Sequence, residues 1–282
     1  MHVFSFEPLP EEHYGDPLAA ACKRGLRFWW PEVTPGQARA ILAGASGHGP
    51  VDQPVLAVFG TSASQGKFTL QLALRRRFLR MGYRVAQVGT EHHSSLFGMD
   101  FAFPMGHGST VDVEVDRHPE LLDRVMRRIC AERRPDLFLV GSQSGTVPFD
   151  LSDHRTLTLS TLAFLMGTKP DACVLVVNDI DRPDYIEATI AGLRCVGQTE
   201  VIALAVSDRC KKVRQRHGRS WTTQRPAGED ELAITLARLE DRFHLPAARI
   251  TSEADVSRLC DTAVCYFSNQ GQKETSCQKR SA

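Results

Sequence analysis

Ten consecutive residues carry the most explicit chemistry in this sequence: Gly60-Thr61-Ser62-Ala63-Ser64-Gln65-Gly66-Lys67-Phe68-Thr69. Glycine at both ends lets the backbone curl tightly with its amides pointing inward, and Lys67 adds positive potential at the same spot. That is the chemistry of a phosphate cradle, with Gly60, Ser62, Ser64, Gln65, Gly66, Lys67, Phe68 and Thr69 as its cofactor-binding residues. The strict phosphate-loop pattern has four residues between its glycines and Ser or Thr directly after the lysine. Here five residues intervene, and Phe68 separates Lys67 from Thr69. Context carries the assignment, because the bend follows an apolar run and opens an amphipathic one, where a helix amino terminus would also face the anion.

A second cluster lies in VGTEHHSSLFGMDFAFPMGHGST (88–110), which holds Glu91, His92, His93, Asp100 and His107. Adjacent histidines diverge on either a strand or a helix, so His92 and His93 are poorly arranged to share one metal ion. Substrate binding by this loop, His107 included, is expected, with Glu91, His92 or His93 as the acid or base beside Lys67. If a divalent cation is used, Thr69 and Glu91 are its candidate ligands. The loop Gly141-Ser142-Gln143-Ser144-Gly145 again sets small residues at the end of an apolar run, where it would bind substrate or donate to an oxyanion. Gln143 stands where a nucleophile-elbow serine would be required, which argues against a serine hydrolase. Next comes Asp153-His154-Arg155, in which His154 or Arg155 is a candidate for an anionic substrate and Asp153 for a helix cap. Asn178-Asp179-Ile180-Asp181 offers Asn178 or Asp181 as a base contact, or a turn cap. Arg209, Lys211, Lys212, Arg214, Arg216 and Arg219 form a basic run that would be solvated or would face an anionic ligand.

These residues need a frame. Short apolar runs at 55–60, 84–89, 137–141, 172–178 and 201–207 alternate with helical patterns at 119–134, 155–166, 183–196 and 228–244, besides the helix that opens at Lys67 and ends at Gly82. Each strand is apolar enough to be buried on both faces, so the expectation is an α/β fold with a mostly parallel sheet and helices on both faces. Residues 1–52, broken by Pro8, Pro10, Pro17, Pro31 and Pro35, read as a short irregular arm or small cap. In that arm Trp29-Trp30 is expected to pack into the core, with an interface or a lid as the alternative. Residues 53–267 form the α/β domain, and 268–282 are polar enough to form a flexible tail.

The loop with its longer spacing resembles that of dethiobiotin synthetase and its relatives. It is more similar still to a family of bacterial P-loop proteins, long of unknown function, whose known activity is D-glutamate N-acetylation. Gly66-Lys67-Phe68-Thr69 and the later segment LFLVGSQSGTVPFDLSDHRTLTLSTLAFLMGTKPDACVLVVN (137–178) carry the likeness, which spans about residues 55–207. The resemblance implies a P-loop NTPase-like sheet. It also implies a transferase that acylates the amine of a small acidic amino acid with an acyl-CoA whose phosphates sit on the loop. An ATP/Mg²⁺-dependent kinase or ligase of the dethiobiotin synthetase kind is the alternative, and a non-catalytic nucleotide-binding or scaffold protein a third. Two carboxylates usual in the family are absent: Ser62 stands where an Asp usually follows Gly-Thr, and Gly141 where a Glu usually closes the strand. That weakens an ordinary ATP·Mg²⁺ site.

Composition narrows the remaining classes. With 34 Lys+Arg against 33 Asp+Glu in 282 residues, the net charge of +1 gives no broad basic face for nucleic acid or a membrane surface. No apolar run approaches the roughly 20 residues of a membrane span, and the first residues, MHVFSFEPLPEEH, lack a secretory leader, so a cytoplasmic location is expected. Eight cysteines without a CxxC pair read as reduced thiols rather than a zinc site. The expected partner is a small, amino-acid-like molecule, with a homo-oligomer open.

Overall fold

The computed structural model describes residues 3–44, 51–106, 108–148, 158–216 and 219–278. The arm is more regular than its prolines suggest. It contains β1 (Val3–Phe4), α1 (Glu11–Lys23), β2 (Phe28–Trp29), which pairs parallel with β1, and α2 (Pro35–Ala43). Pro35 starts α2 rather than breaking it, because a first-turn residue needs no amide donor. Thr34 Oγ accepts from the Gln37 amide at 3.1 Å while the Gln37 side chain accepts from the Thr34 amide at 2.9 Å, a reciprocal cap. Pro17 is carried inside α1. Val33, almost fully buried, bridges to Val111 and knits the arm to the domain. Trp29, expected in the core, is instead exposed, its ring edge-on to Phe4 at 5.6 Å.

From Val55 the expected alternation appears: β3 (Val55–Gly60), α3 (Lys67–Arg80), β4 (Val85–Gly89), a 3-10 helix at His92–Phe97, and β5 (Phe101–Ala102). Then come α4 (His118–Arg133), β6 (Leu137–Gly141), α5 (Leu159–Thr168), β7 (Ala172–Val177), α6 (Pro183–Gly197) and β8 (Glu200–Val206). A hairpin of β9 (Arg209–Arg216) and β10 (Arg219–Pro226), then α7 (Glu229–Phe243), β11 (Ala247–Arg249) and α8 (Glu253–Gln278), complete the chain. The basic run is thus a strand of a hairpin. The sequences of its two strands, RCKKVRQR and RSWTTQRP, show no regular apolar alternation, so no period announced them. Strand β11 is too short to show one, and α8 runs across the boundary expected at residue 268.

Seven strands form one parallel sheet in the order β11-β8-β7-β3-β6-β4-β5. Successive residues of β3 feed opposite cores: Val55, Ala57 and Phe59 one, Leu56 and Val58 the other. Helices α2, α4, α5, α6 and α7 cover the first, through Ala38, Leu121, Phe164, Leu193 and Leu239 among others. Helices α3 and α8 cover the second, through Leu70, Leu74, Phe78, Leu259 and Cys260. Central β3 sits between β6 and β7; the connection leaving β3 leads to β4 on one side, and that leaving β6 leads to β7 on the other. Ligands of open α/β sheets bind at that switch point. Among the described residues no helix is long and apolar enough to cross a membrane.

Candidate functional site

The bend Gly60–Thr69 leaves β3 at this switch point and is held by its own side chains. Gln65 spans it, accepting from the Ser62 amide at 2.9 Å and donating to Thr61 Oγ at 2.6 Å. Thr61 Oγ in turn donates to Asp181, whose carboxylate also accepts from the Asn178 amide at 2.8 Å. A side chain at position 60 would strike the Gln65 amide oxygen at 2.5 Å, and Gly66 is left-handed at φ 85° with Ile250 against it. Both glycines are therefore required by space or conformation. Because Gly66 has no side chain to cap α3, the amides of the first turn remain directed at the bend.

Lys67 is buried at 6% exposure, and its ammonium donates to the carbonyl oxygens of Ser62 (2.7 Å) and Ser144 (2.8 Å). Burial, and next the charge of Lys211, push its pKa from 10.5 down to about 7, against a smaller opposing pull from Glu91. Lys211, from β9, donates to Ser62 Oγ at 2.9 Å and to the Ala63 carbonyl at 2.5 Å. Burial lowers its pKa as well, and Asp181 and Asp179 oppose that shift. Asn178 donates to Ser62 Oγ at 3.0 Å and to Asp181, so the structure puts it under the loop as a brace.

The loop 141–145 closes the other side. Ser144 is left-handed at φ 54°, and a side chain on Gly145 would lie 2.6 Å from the Thr61 carbonyl. Gln143 donates to the Thr90 carbonyl at 3.0 Å, tying this loop to the end of β4. The hydroxyls of Ser142 and Thr90 are buried and make no hydrogen bond within the described residues. Gly141 is filled from outside: a side chain there would fall 2.0 Å from the amide of Gln71, which is buried and accepts from Gln87 at 3.4 Å.

Among the second cluster, His93 packs with Phe68 (4.5 Å between ring centres), Phe97 (5.7 Å) and Phe6 of the arm (5.8 Å). His92 donates Nε2–H to the Gly108 carbonyl at 3.0 Å. Glu91 lies close enough to act on Lys67, but Thr69 is exposed and lines a groove of about 470 Å³ between α3 and α8 with Arg76, Arg77 and Ile250. Neighbours on a helix diverge by about 100°. Phe68 therefore faces the histidine loop while Thr69 turns to α8, and the expected metal pair Thr69 and Glu91 is not assembled. Among the described residues no group of three or more His, Cys, Asp or Glu is placed to hold an ion. His107 and Arg155, with Asp153 and His154, lie outside the described residues.

A family described as "Domain of unknown function (DUF1611_C) P-loop domain" matches residues 36–260. The chain belongs to this DUF1611 P-loop family. Among solved structures, a DUF1611 family protein from Anabaena variabilis is 18% identical, with a TM-score of 0.58, over 94% of this chain and 71% of that one. A nucleotide-binding protein from Archaeoglobus fulgidus in complex with ADP is 14% identical, with a TM-score of 0.41, over 74% of this chain and 86% of its own. A GTPase from Pyrococcus abyssi is 14% identical at 0.40, over 78% and 99%. No curated protein matches the chain. Within the DUF1611 domain, Asp181, Gln71 and Lys211 emerge as site residues that patterns alone undervalued. Gln71 had a signal: it is a polar residue four positions after Lys67, on the same helix face. Lys211 had only its place in the basic run.

Proposed function

We propose that the protein binds the pyrophosphate of a nucleotide-type cofactor on the bend Gly60–Thr69 and transfers a group from that cofactor to a small, amino-acid-like substrate. One observation carries the reading: a buried lysine held over uncapped helix amides by two carbonyl oxygens. Carbonyls are weaker partners for an ammonium than phosphate oxygens, so an entering anion gains charge-assisted bonds in exchange. The cofactor we favour is an acyl-CoA, because the carboxylates nearest the bend, Asp181 and Asp179, are taken up by Thr61, Asn178 and Lys211 where phosphoryl transfer would need them on a metal ion.

In that reaction the substrate amine attacks the thioester carbonyl, the C–S bond breaks, and the sulfur leaves to be protonated as free CoA. The proton lost from the amine passes to Nδ1 of His92 or to Glu91, and the amides of 143–145 stabilise the oxyanion. His93, walled by aromatic rings, positions this loop.

A thermal-shift and calorimetric panel with acetyl-CoA, CoA, ATP and inorganic pyrophosphate tests the binding step. Stabilisation by acetyl-CoA, lost in Lys67→Ala, supports it, and failure of every phosphate ligand to bind overturns it. Thiol release with acidic amino acids and acetyl-CoA tests the chemistry, and substrate-dependent ATP consumption in its place would redirect the reading to a kinase or ligase.

A further inference from the structure

P-loops ordinarily meet phosphate with two cationic centres, the loop lysine and a divalent ion held by the following Ser or Thr and a carboxylate from a strand end. The second set of donors is not built here. Phe68 takes the place after the lysine and packs edge-on against His93, Thr69 turns to α8, and the Gln71 amide fills the space at Gly141. Of the carboxylates in reach, Asp181 is committed to Thr61 and Asn178, and Asp179 accepts from the Lys211 amide at 3.1 Å. Among the described residues that leaves Glu91, and a divalent ion does not fit this donor set.

A second ammonium reaches the loop instead. Ser62 takes Lys67 on its carbonyl oxygen and Lys211 on its hydroxyl, so two cations from distant parts of the chain converge on one residue. The hairpin is pinned in that position from both strands: β9 through the Lys211 amide to Asp179, and β10 through Gln224, which donates to the Ser64 carbonyl at 2.9 Å. Asp179 and Asp181 are the acidic groups acting on Lys211, while Lys67 faces it with like charge. Two ammoniums held together at a buried bend are mutually repelled, a situation that an anion between them reverses.

We infer that Lys211, delivered by the β9–β10 hairpin, is the second phosphate-binding cation of this loop and makes pyrophosphate binding independent of a divalent metal. This rests on the loop being a phosphate site, and the experiment separates the two ideas. Calorimetric titration with inorganic pyrophosphate is run in EDTA and in excess Mg²⁺ on the full chain and on Lys67→Ala, Lys211→Met and Lys211→Arg, each checked for an unchanged melting profile without ligand. The full chain is expected to bind in EDTA, Lys211→Met to bind at least about tenfold more weakly there, and Lys211→Arg to stay within about threefold, as for loss or retention of a charged hydrogen bond. Equal affinity of Lys211→Met and the full chain overturns the inference while leaving the phosphate site standing, and so does binding by the full chain only in Mg²⁺. No binding of pyrophosphate, CoA or ATP by the full chain in either condition overturns both. Should Lys211→Met melt early, Gln224→Ala, which unpins the hairpin from β10 without removing a charge, must weaken binding by a smaller factor, and no weakening counts against the inference.

Discussion

The two sides of the β3 carboxyl end are built from opposite chemistry. Toward β7 and the hairpin lie Lys67, Lys211, Asp179 and Asp181, a set of charges tied together through Thr61, Ser62 and Asn178. Toward β6 and β4 lie Gln71, Gln87, Thr90 and Ser142, all buried and all neutral, with the oxygens of Gln87, Thr90 and Ser142 unpartnered within the described residues. A glycine at 141 admits an amide from α3 where a carboxylate side chain would otherwise stand, and a hairpin brings in the missing positive charge from the far side.

The largest break in that comparison should come from Lys67→Ala. Pyrophosphate affinity should fall by about 100-fold or more, since a buried charged hydrogen-bond donor to the ligand is lost. The unliganded fold should melt no earlier, because the removed ammonium was desolvated at a cost. An affinity within threefold of the unaltered chain would sink the proposed site. Next in size, Gln71→Glu puts a carboxylate into the neutral half. Its burial should cost about 1–3 kcal/mol at neutral pH. A buried carboxyl has its folded pKa raised, so the cost is present above that pKa and is relieved as pH falls through it; a denaturant titration at pH 5 and pH 8 reads the difference.

A third effect is pH itself. Lys67 has a folded pKa of about 7 against an ordinary 10.5, so its destabilising burial is fully present below about 7 and disappears as pH climbs toward 10.5. Stability should rise across that window, and the rise should be absent in Lys67→Ala. Ligand affinity should move the other way, declining by up to about tenfold per pH unit above 7, because binding needs the ammonium form. Calorimetry in two buffers of different ionisation enthalpy should detect proton uptake on binding at pH 8, and its absence would show that Lys67 is already charged there. Smallest is His93→Leu, which removes an aromatic edge worth about 0.5–1.5 kcal/mol. It should lower the melting temperature slightly and leave pyrophosphate affinity unchanged, while any acyl transfer should slow through the displaced His92.

Much of this architecture was legible along the chain. The strands at 55–60 and 137–141 coincide with their apolar runs, those at 84–89 and 172–178 differ by one residue at one end, and that at 201–207 differs by one residue at both ends. Continuous apolar runs are unambiguous when a strand is buried on both faces. The arm was misjudged because a proline reads as a break until its capping partners, Thr34 and Gln37, are seen to place it at a helix start. Strands β9 and β10 were missed because their sequences, RCKKVRQR and RSWTTQRP, hold no apolar run, although Cys210 and Lys211 are buried against the rest of the domain. Thr69 was expected to help hold a cation on sequence adjacency to Lys67, and helical rotation sends it elsewhere.

The sequence alone determined that Gly60 to Thr69 forms an anion-receptive bend between a buried strand and a helix, since glycine placement, apolar runs and helical period are local properties. Tertiary structure decided which charges meet at that bend. Lys211 and Lys67 are 144 positions apart in the chain, and Gln71 reaches Gly141 only across a sheet. Electrostatic energy depends on distance through space and on burial, and neither quantity is written in the order of residues.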